Sequence, residues 1–252
     1  MFKKLFASIG FGSAEVNTHL TNNTCHPGGI ITGITYVKGG SVDLDIDDLF
    51  LKMVAKVKRP RGDSYYYEEI VFHQHKLSGK FKLPAGSDRE IPFTLQIPFE
   101  TPITRYANFS FASGAPIGVR TALDIENAVD KHDFDAINVD PNPGMVQFLR
   151  AVDRLGFVLA KVDLEYGKIR GATLPFYQEL EYKAYNTRYA RRVNELELTF
   201  LGKPNGCTVV LEIDKRTGFL GASRDVIRRI SIDYSNYQNV DFTSEIDRAI
   251  NS

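Results

Sequence analysis

Apolar and polar positions alternate along most of this chain, and a period of two marks half-buried β-strands. Val16, Thr18 and Leu20 alternate with polar residues, then Thr21–Asn23 and His26-Pro27-Gly28-Gly29 read as a turn. Ile30–Val37 resumes the strand, Gly39-Gly40 punctuates it, and Val42, Leu44 and Ile46 alternate with Ser41, Asp43 and Asp45. At Asp47-Asp48 the phase slips by one residue before Leu49, Leu51, Met53, Ala55 and Val57 continue the period. Such a slip predicts a β-bulge or a strand break. Tyr65–Leu77, Lys80–Leu83, Glu90–Pro98 and Gly118–Ile125 are further strands, separated mostly by turn signals at sandwich spacing. In Glu90–Pro102, Ile91, Phe93, Leu95 and Ile97 share one face. Pro92 and Pro98 lack a backbone donor, which predicts a strand start, an edge or a bulge there.

The period changes twice. Phe2, Leu5, Phe6 and Ile9 fall on one face of a short N-terminal helix, with Lys3 and Lys4 opposite. Pro143–Leu155 is the second helix: Asn142 occupies the N-cap position, Pro143 the first turn and Gly156 the stop. Met145, Phe148, Leu149, Val152 and Leu155 form its buried face. Strands return at Phe157–Tyr166, Phe176–Ala184, Glu195–Phe200, Cys207–Asp214 and Ile227–Ile232, and Ser244–Ile250 reads as a short closing helix. The polar texture of residues 130–140 suggests a boundary near residue 128. The expectation is all-β: two consecutive β-sandwich domains, 1–128 and 129–252, with the second helix opening the second domain.

Composition narrows the function. Lys plus Arg equal Asp plus Glu at 31 each, so no net basic field exists to displace counterions from nucleic acid. Cys25 and Cys207 form no disulfide framework and read as buried, reduced thiols. No apolar run reaches the roughly 20 residues of a membrane span, and the N-terminus lacks a secretory h-region and cleavage site. A cytoplasmic location is expected. A peripheral membrane adaptor, touching an anionic surface through the N-terminal helix, is an alternative function, but the helix is short and weakly cationic, which favours the protein's own core or a second subunit.

Candidate chemistry is sparse. His73 and His75 share a strand face, a spacing a metal could use, but a site needs three or four ligands and no others appear nearby. Asp43, Asp45 and Asp47 open like a calcium loop, yet Asp48 and Val54 stand where Gly and Glu belong. Asp130, His132, Asp133 and Asp135 cluster in what reads as a hydrophilic connector. Together with His73 and His75 they would be the site of a metal-dependent or hydrolytic enzyme. No phosphate-binding glycine loop or nucleophile elbow occurs. The densest basic–aromatic segment carries Arg188, Tyr189, Arg191 and Arg192, with Lys183, Tyr182 and Tyr185 close by. With Phe2, Leu5 and Phe6 these are the candidate interaction residues, suited to a protein or phosphate partner.

In order, KKLFASIGFGSAEV (3–16), HPGGIITGITYVKGG (26–40), REIPFTLQIPFETPIT (89–104), GVRTALDI (118–125), DFDAINVDPNPGMVQFLRAVDRLGF (133–157), ELELTF (195–200) and VVLEIDKRTG (209–218) resemble the bacterial SpoOM sporulation-control family. The resemblance covers essentially the whole chain and implies two arrestin-like β-sandwiches acting as a regulatory scaffold for other proteins. It implies no active site, cofactor or catalytic residue, and relatives also occur in bacteria that form no spores. Strand edges invite pairing with a partner or a second copy, so a homodimer through an edge or the N-terminal helix is expected. Many relatives continue into a polar, acidic tail, whereas this sequence stops at Ser252, as a shorter relative or a truncated chain.

Overall fold

The computed structural model describes residues 14–106, 109–110, 117–126, 129–185, 187–217 and 222–252. The expected N-terminal helix, with Phe2, Leu5 and Phe6, lies outside them. Strands dominate: β1 (Glu15–Asn22), β2 (Thr24–Cys25), β3 (Ile30–Lys38), β4 (Leu44–Arg61), β5 (Ser64–Ser78), β6 (Phe81–Leu83), β7 (Asp88–Gln96), β8 (Arg105–Tyr106), β9 (Phe109–Ser110), β10 (Ile117–Ile125), β11 (Lys131–Ala136) and β12 (Asn138–Val139) make up the first half. Helix α1 (Pro143–Arg154) follows, then β13 (Val158–Tyr166), β14 (Phe176–Lys183), β15 (Val193–Lys203), β16 (Gly206–Thr217), β17 (Ala222–Asp233) and helix α2 (Phe242–Asn251).

In the first half a three-stranded sheet, β1-β3-β7, faces the sheet formed by β11, β10 and β4. The inward positions read from the sequence fill the space between: Ile31, Val37, Phe93 and Leu95 from one layer, Leu51, Met53, Ala55, Val119 and Leu123 from the other. β7 is an edge strand, where a sheet tolerates Pro92. The phase slip is a bulge: Asp124 pairs with Asp48 and Ile125 with Ile46, leaving Asp47 unopposed. That extra residue turns both Ile46 and Leu49 into the core.

Strand β4, 18 residues long, joins the halves. β10 covers one of its edges up to Ala55, and β13 meets β4 farther along, in a parallel bridge between Glu165 and Lys58. Lys58 Nζ reinforces the junction by donating to Glu165 at 2.6 Å and Asp163 at 3.3 Å. A buried amide secures it elsewhere: Gln178 on β14 accepts from Ile103 N at 3.0 Å and donates to Ile103 O at 2.8 Å. The backbone of residue 99 presses on β15 so closely that a Cβ on Gly202 would meet Phe99 O at 1.9 Å.

From β13 to β17 the chain is an antiparallel meander. Among the described residues its inner face is covered by α1 and α2, through Met145, Phe148, Leu149, Val152, Phe242, Ile246 and Ile250. α1 ends as the sequence predicts, Gly156 adopting φ +86°. Its start differs: Asn142 makes no side-chain cap and donates instead to the Tyr234 hydroxyl at 3.1 Å. α2 begins two residues earlier than expected, because Asp241 caps it by accepting from Ser244 N. The change of texture at residue 128 is not where the chain leaves the first half. β11 pairs with β10, and β12 with β2, so residues through 139 remain with it.

Candidate interaction surfaces and polar clusters

The two sequence-level histidines sit on β5, His73 opposite Met53 and His75 opposite Leu51. Burial, then the neighbouring His75, lowers the His73 pKa. The same rows continue through Val119 and Thr121 of β10 to Asp135 and Asp133 of β11. Three strand spacings therefore separate the imidazoles from those carboxylates, about 14 Å. No single ion bridges that gap. Within β11 the alternation of a strand also divides the acidic cluster: His132 projects from the face opposite Asp133 and Asp135.

These residues are not a loose connector, as their polarity suggested, but a strand with structural partners. Asp133 Oδ2 accepts from Thr18 N at 2.6 Å, sealing a donor on the free edge of β1. Asp130 Oδ1 accepts from Ile125 N at 3.2 Å. Asp135 has a buried oxygen without a partner among the described residues, and burial followed by the Asp133 charge pushes its pKa up to about 6. Thr18, Thr35 and Thr121 join their hydroxyls between the two layers.

The basic–aromatic segment is divided as well. Arg191 and Arg192 are exposed, but Tyr189 is 0% exposed and stacks on Phe157. Its hydroxyl donates to Asp247 of α2 at 2.5 Å and accepts from Arg188 at 2.8 Å, while Arg188 pairs with Asp247. Tyr189 is thus a core residue that pins α2, and the ring this segment leaves exposed is that of Tyr185. The flanking arginines disguised it: the turn that exposes them points the tyrosine inward. Tyr182 is buried too, its hydroxyl unpartnered among the described residues. Cys25 and Cys207 are free and buried, as read, and burial pushes their thiols up to about 11 and about 12.

Sequence reasoning missed one cluster. On the outer face of the meander Glu181 stands opposite Glu197, with Glu179 beside them, and their carboxylates lie within 4.8 Å of one another. Asp163, Glu165, Glu195 and Glu212 surround them, against Lys58, Lys161 and Lys183. Burial and the crowd of like charges push Glu179 up to about 7 and Glu197 up to about 8. The signal was present as two alternating runs, QELEYK and NELELT, but only the register brings them together.

Two open grooves are lined by charged residues among others: one lies between Arg105, Tyr106, Asp140 and Arg150, another between Lys215, Arg216, Arg228 and Ser252. Arg105 is already paired with Asp140. No helix of the described residues is long and apolar enough to cross a membrane.

Layered strands, exposed edges and structurally engaged polar groups define an all-β chain that offers surfaces. Comparison with known proteins gives its family. Residues 2–217 match the family model described as SpoOM protein, and the chain belongs to that family. It is 34% identical over 215 residues to the sporulation-control protein spo0M of Bacillus subtilis (strain 168), covering 85% of this chain and 81% of that protein. The crystal structure of Spo0M, sporulation control protein, from Bacillus subtilis superposes with a TM-score of 0.83 at 27% identity, covering 96% of this chain and 99% of that one.

Proposed function

We propose that this protein is a non-catalytic regulator of sporulation, or of a related developmental or stress process, which works in the cytoplasm by binding other proteins. Similarity along most of the chain to a sporulation-control protein carries this reading. The polar clusters support it: the histidines and aspartates that an enzyme would combine lie about 14 Å apart. Strand edges and the exposed Arg191 and Arg192 supply recognition surfaces of the kind that partner strands and acidic segments use. The two halves act as arrestin-like units held by β4 and Gln178.

Deletion of the gene in its native host, with counting of spores and of survivors after starvation, tests the regulatory role. A shift in either, restored by the parent and not by a form carrying Arg191→Glu and Arg192→Glu, is expected. A deletion strain indistinguishable from its parent sinks the proposal. Elemental analysis tests the non-catalytic part: stoichiometric zinc, iron or manganese in the purified protein favours an enzyme instead.

A further inference from the structure

The outer face of the first-half sheet carries an apolar strip that crosses the strands. Val54 is only 1% exposed, yet it belongs to none of the three apolar cores. It alternates with Met53 and Ala55, which fill the core, and so points to the other face of β4. Across the ladders Val54 stands opposite Gly118 of β10 on one side and Val71 of β5 on the other. Phe134 of β11 leans over Gly118, where a Cβ would meet its ring at 2.5 Å. Val71 and Phe134 remain 47% and 41% exposed. The strip therefore runs from β11 through β10 and β4 to β5, three strand spacings or about 14 Å. Cations stand on both sides of it. Lys52 and Lys56 lie two residues to either side of Val54 on the same face, about 13 Å apart. Neither is in an ion pair among the described residues. Glu69, the carboxylate opposite Lys56, is already held by Arg120 at 2.6 Å.

A sheet face offers side chains and no free backbone groups, so whatever covers the strip must satisfy its own backbone. A helix does so, and its diameter of about 10 Å fits between Lys52 and Lys56. About nine helical residues, at about 1.5 Å each, span the strip. We propose that this face binds an acidic amphipathic helix of a partner protein, with the helix's apolar stripe on Val71, Val54 and Phe134 and its flanking carboxylates on Lys52 and Lys56. The two lysines select against a basic helix of the same shape. The site rests on the protein-binding reading above and gives the chemistry of one partner; it lies on the first half of the chain, apart from Arg191 and Arg192.

The probe is a blocked, fluorescein-labelled peptide of about 18 residues, with leucine along one helical face and glutamate on both flanks. Titrated with the full chain and followed by anisotropy, it is expected to saturate below about 100 μM. A peptide with lysine in place of each glutamate should bind about tenfold more weakly or worse. Val71→Ser with Phe134→Ser is expected to weaken the glutamate peptide about tenfold or more. Lys52→Glu with Lys56→Glu should reverse the preference, losing the glutamate peptide and taking the lysine one. Should V71S/F134S fail to fold by circular dichroism, the charge reversal reads the site alone. No saturable binding by the parent, or an unreversed preference in K52E/K56E, overturns the proposal. So does binding that R191E/R192E abolishes, which would place the peptide elsewhere. Vesicles of phosphatidylglycerol and phosphatidylcholine are the second probe: a parent that binds them and not the peptide has a bilayer as its ligand, and the proposal fails. A deletion phenotype without peptide binding sinks this site and leaves the regulatory reading; peptide binding without a deletion phenotype does the reverse.

Discussion

The crowded carboxylates on the outer face of β14 and β15 make stability fall as pH rises, the reverse of what ordinary ion-paired carboxylates do. Glu179 and Glu197 have folded-state pKa values of about 7 and about 8, against 4.5 for the free side chain. Between those limits the native state holds protons that the unfolded chain has released, so stability declines with pH and levels off above the folded values. From pH 6.5 to 8.5 the Glu197 proton is retained over about one and a half units and the Glu179 proton over about half a unit. Each unit is worth about 1.4 kcal/mol, and contact with solvent at the sheet surface reduces the combined effect to about 1.5 kcal/mol. The depressed groups, Asp140, Asp163 and Asp247, have completed their change below this window. His73, lowered from 6.5, opposes the trend only below it. Urea unfolding followed by far-UV circular dichroism at the two pH values measures the difference. Glu197→Gln should abolish most of the slope; because the unfolded carboxylate has already released its proton at pH 6.5, the variant is more stable than the parent at both pH values, by about 1 kcal/mol more at pH 8.5 than at pH 6.5. A parent whose stability is flat or rises between pH 6.5 and 8.5 refutes the reasoning.

Three further outcomes follow from buried polar groups and close backbone contacts. Gln178→Ala strands both Ile103 N and Ile103 O, and should cost about 2–4 kcal/mol in chemical denaturation. Tyr189→Phe removes a hydrogen bond to an ionised carboxylate and should cost about 1.5 kcal/mol, whereas Tyr182→Phe deletes an unpartnered buried hydroxyl and should be neutral or stabilising; equal losses in the two variants would contradict the assignment. Gly202→Ala drives a methyl into Phe99 O and should lower the melting temperature by several degrees in calorimetry, with Gly79→Ala, whose nearest neighbour would lie 3.7 Å away, as a control without a close contact.

The sequence pattern foretold what local hydropathy can encode. The phase slip at Asp47 is a bulge, Pro92 lies on an edge strand, and Pro143–Arg154 forms the helix its proline, apolar stripe and glycine announce. Patterns failed where a residue's meaning depends on a distant strand. β11 has charged residues at the positions an amphipathic strand fills with apolar ones, because Asp133 serves the free edge of β1 rather than the core. Hydropathy alone therefore reads the strand as a connector, and with it a passage between halves about a dozen residues too early. Tyr189 is hidden by its arginine neighbours, and the Glu179–Glu197 crowd exists only in the register of β14 on β15. The candidate clusters were visible as compositions, but their separation across the sheet was not.

The edges of these sheets are treated unequally, and the inequality bears on which of them can bind. β7 carries Pro92, which withholds a donor from any strand laid beside it. The outer donor of β1 at Thr18 is spent on Asp133. β5, paired among the described residues with β4 alone, is bent by a register shift at Phe72 and bristles with Glu68, Glu69, His73, His75 and Lys76. Each device is one by which a sheet keeps unwanted strands away. β17 has no proline, and its pairing to β16 runs from Gly206–Asp233 to Thr217–Ala222 without a register shift. Its remaining protection is charge, and charge discriminates among strands rather than refusing all of them. An edge left regular where β1, β5 and β7 are blocked is one where strand addition meets little resistance.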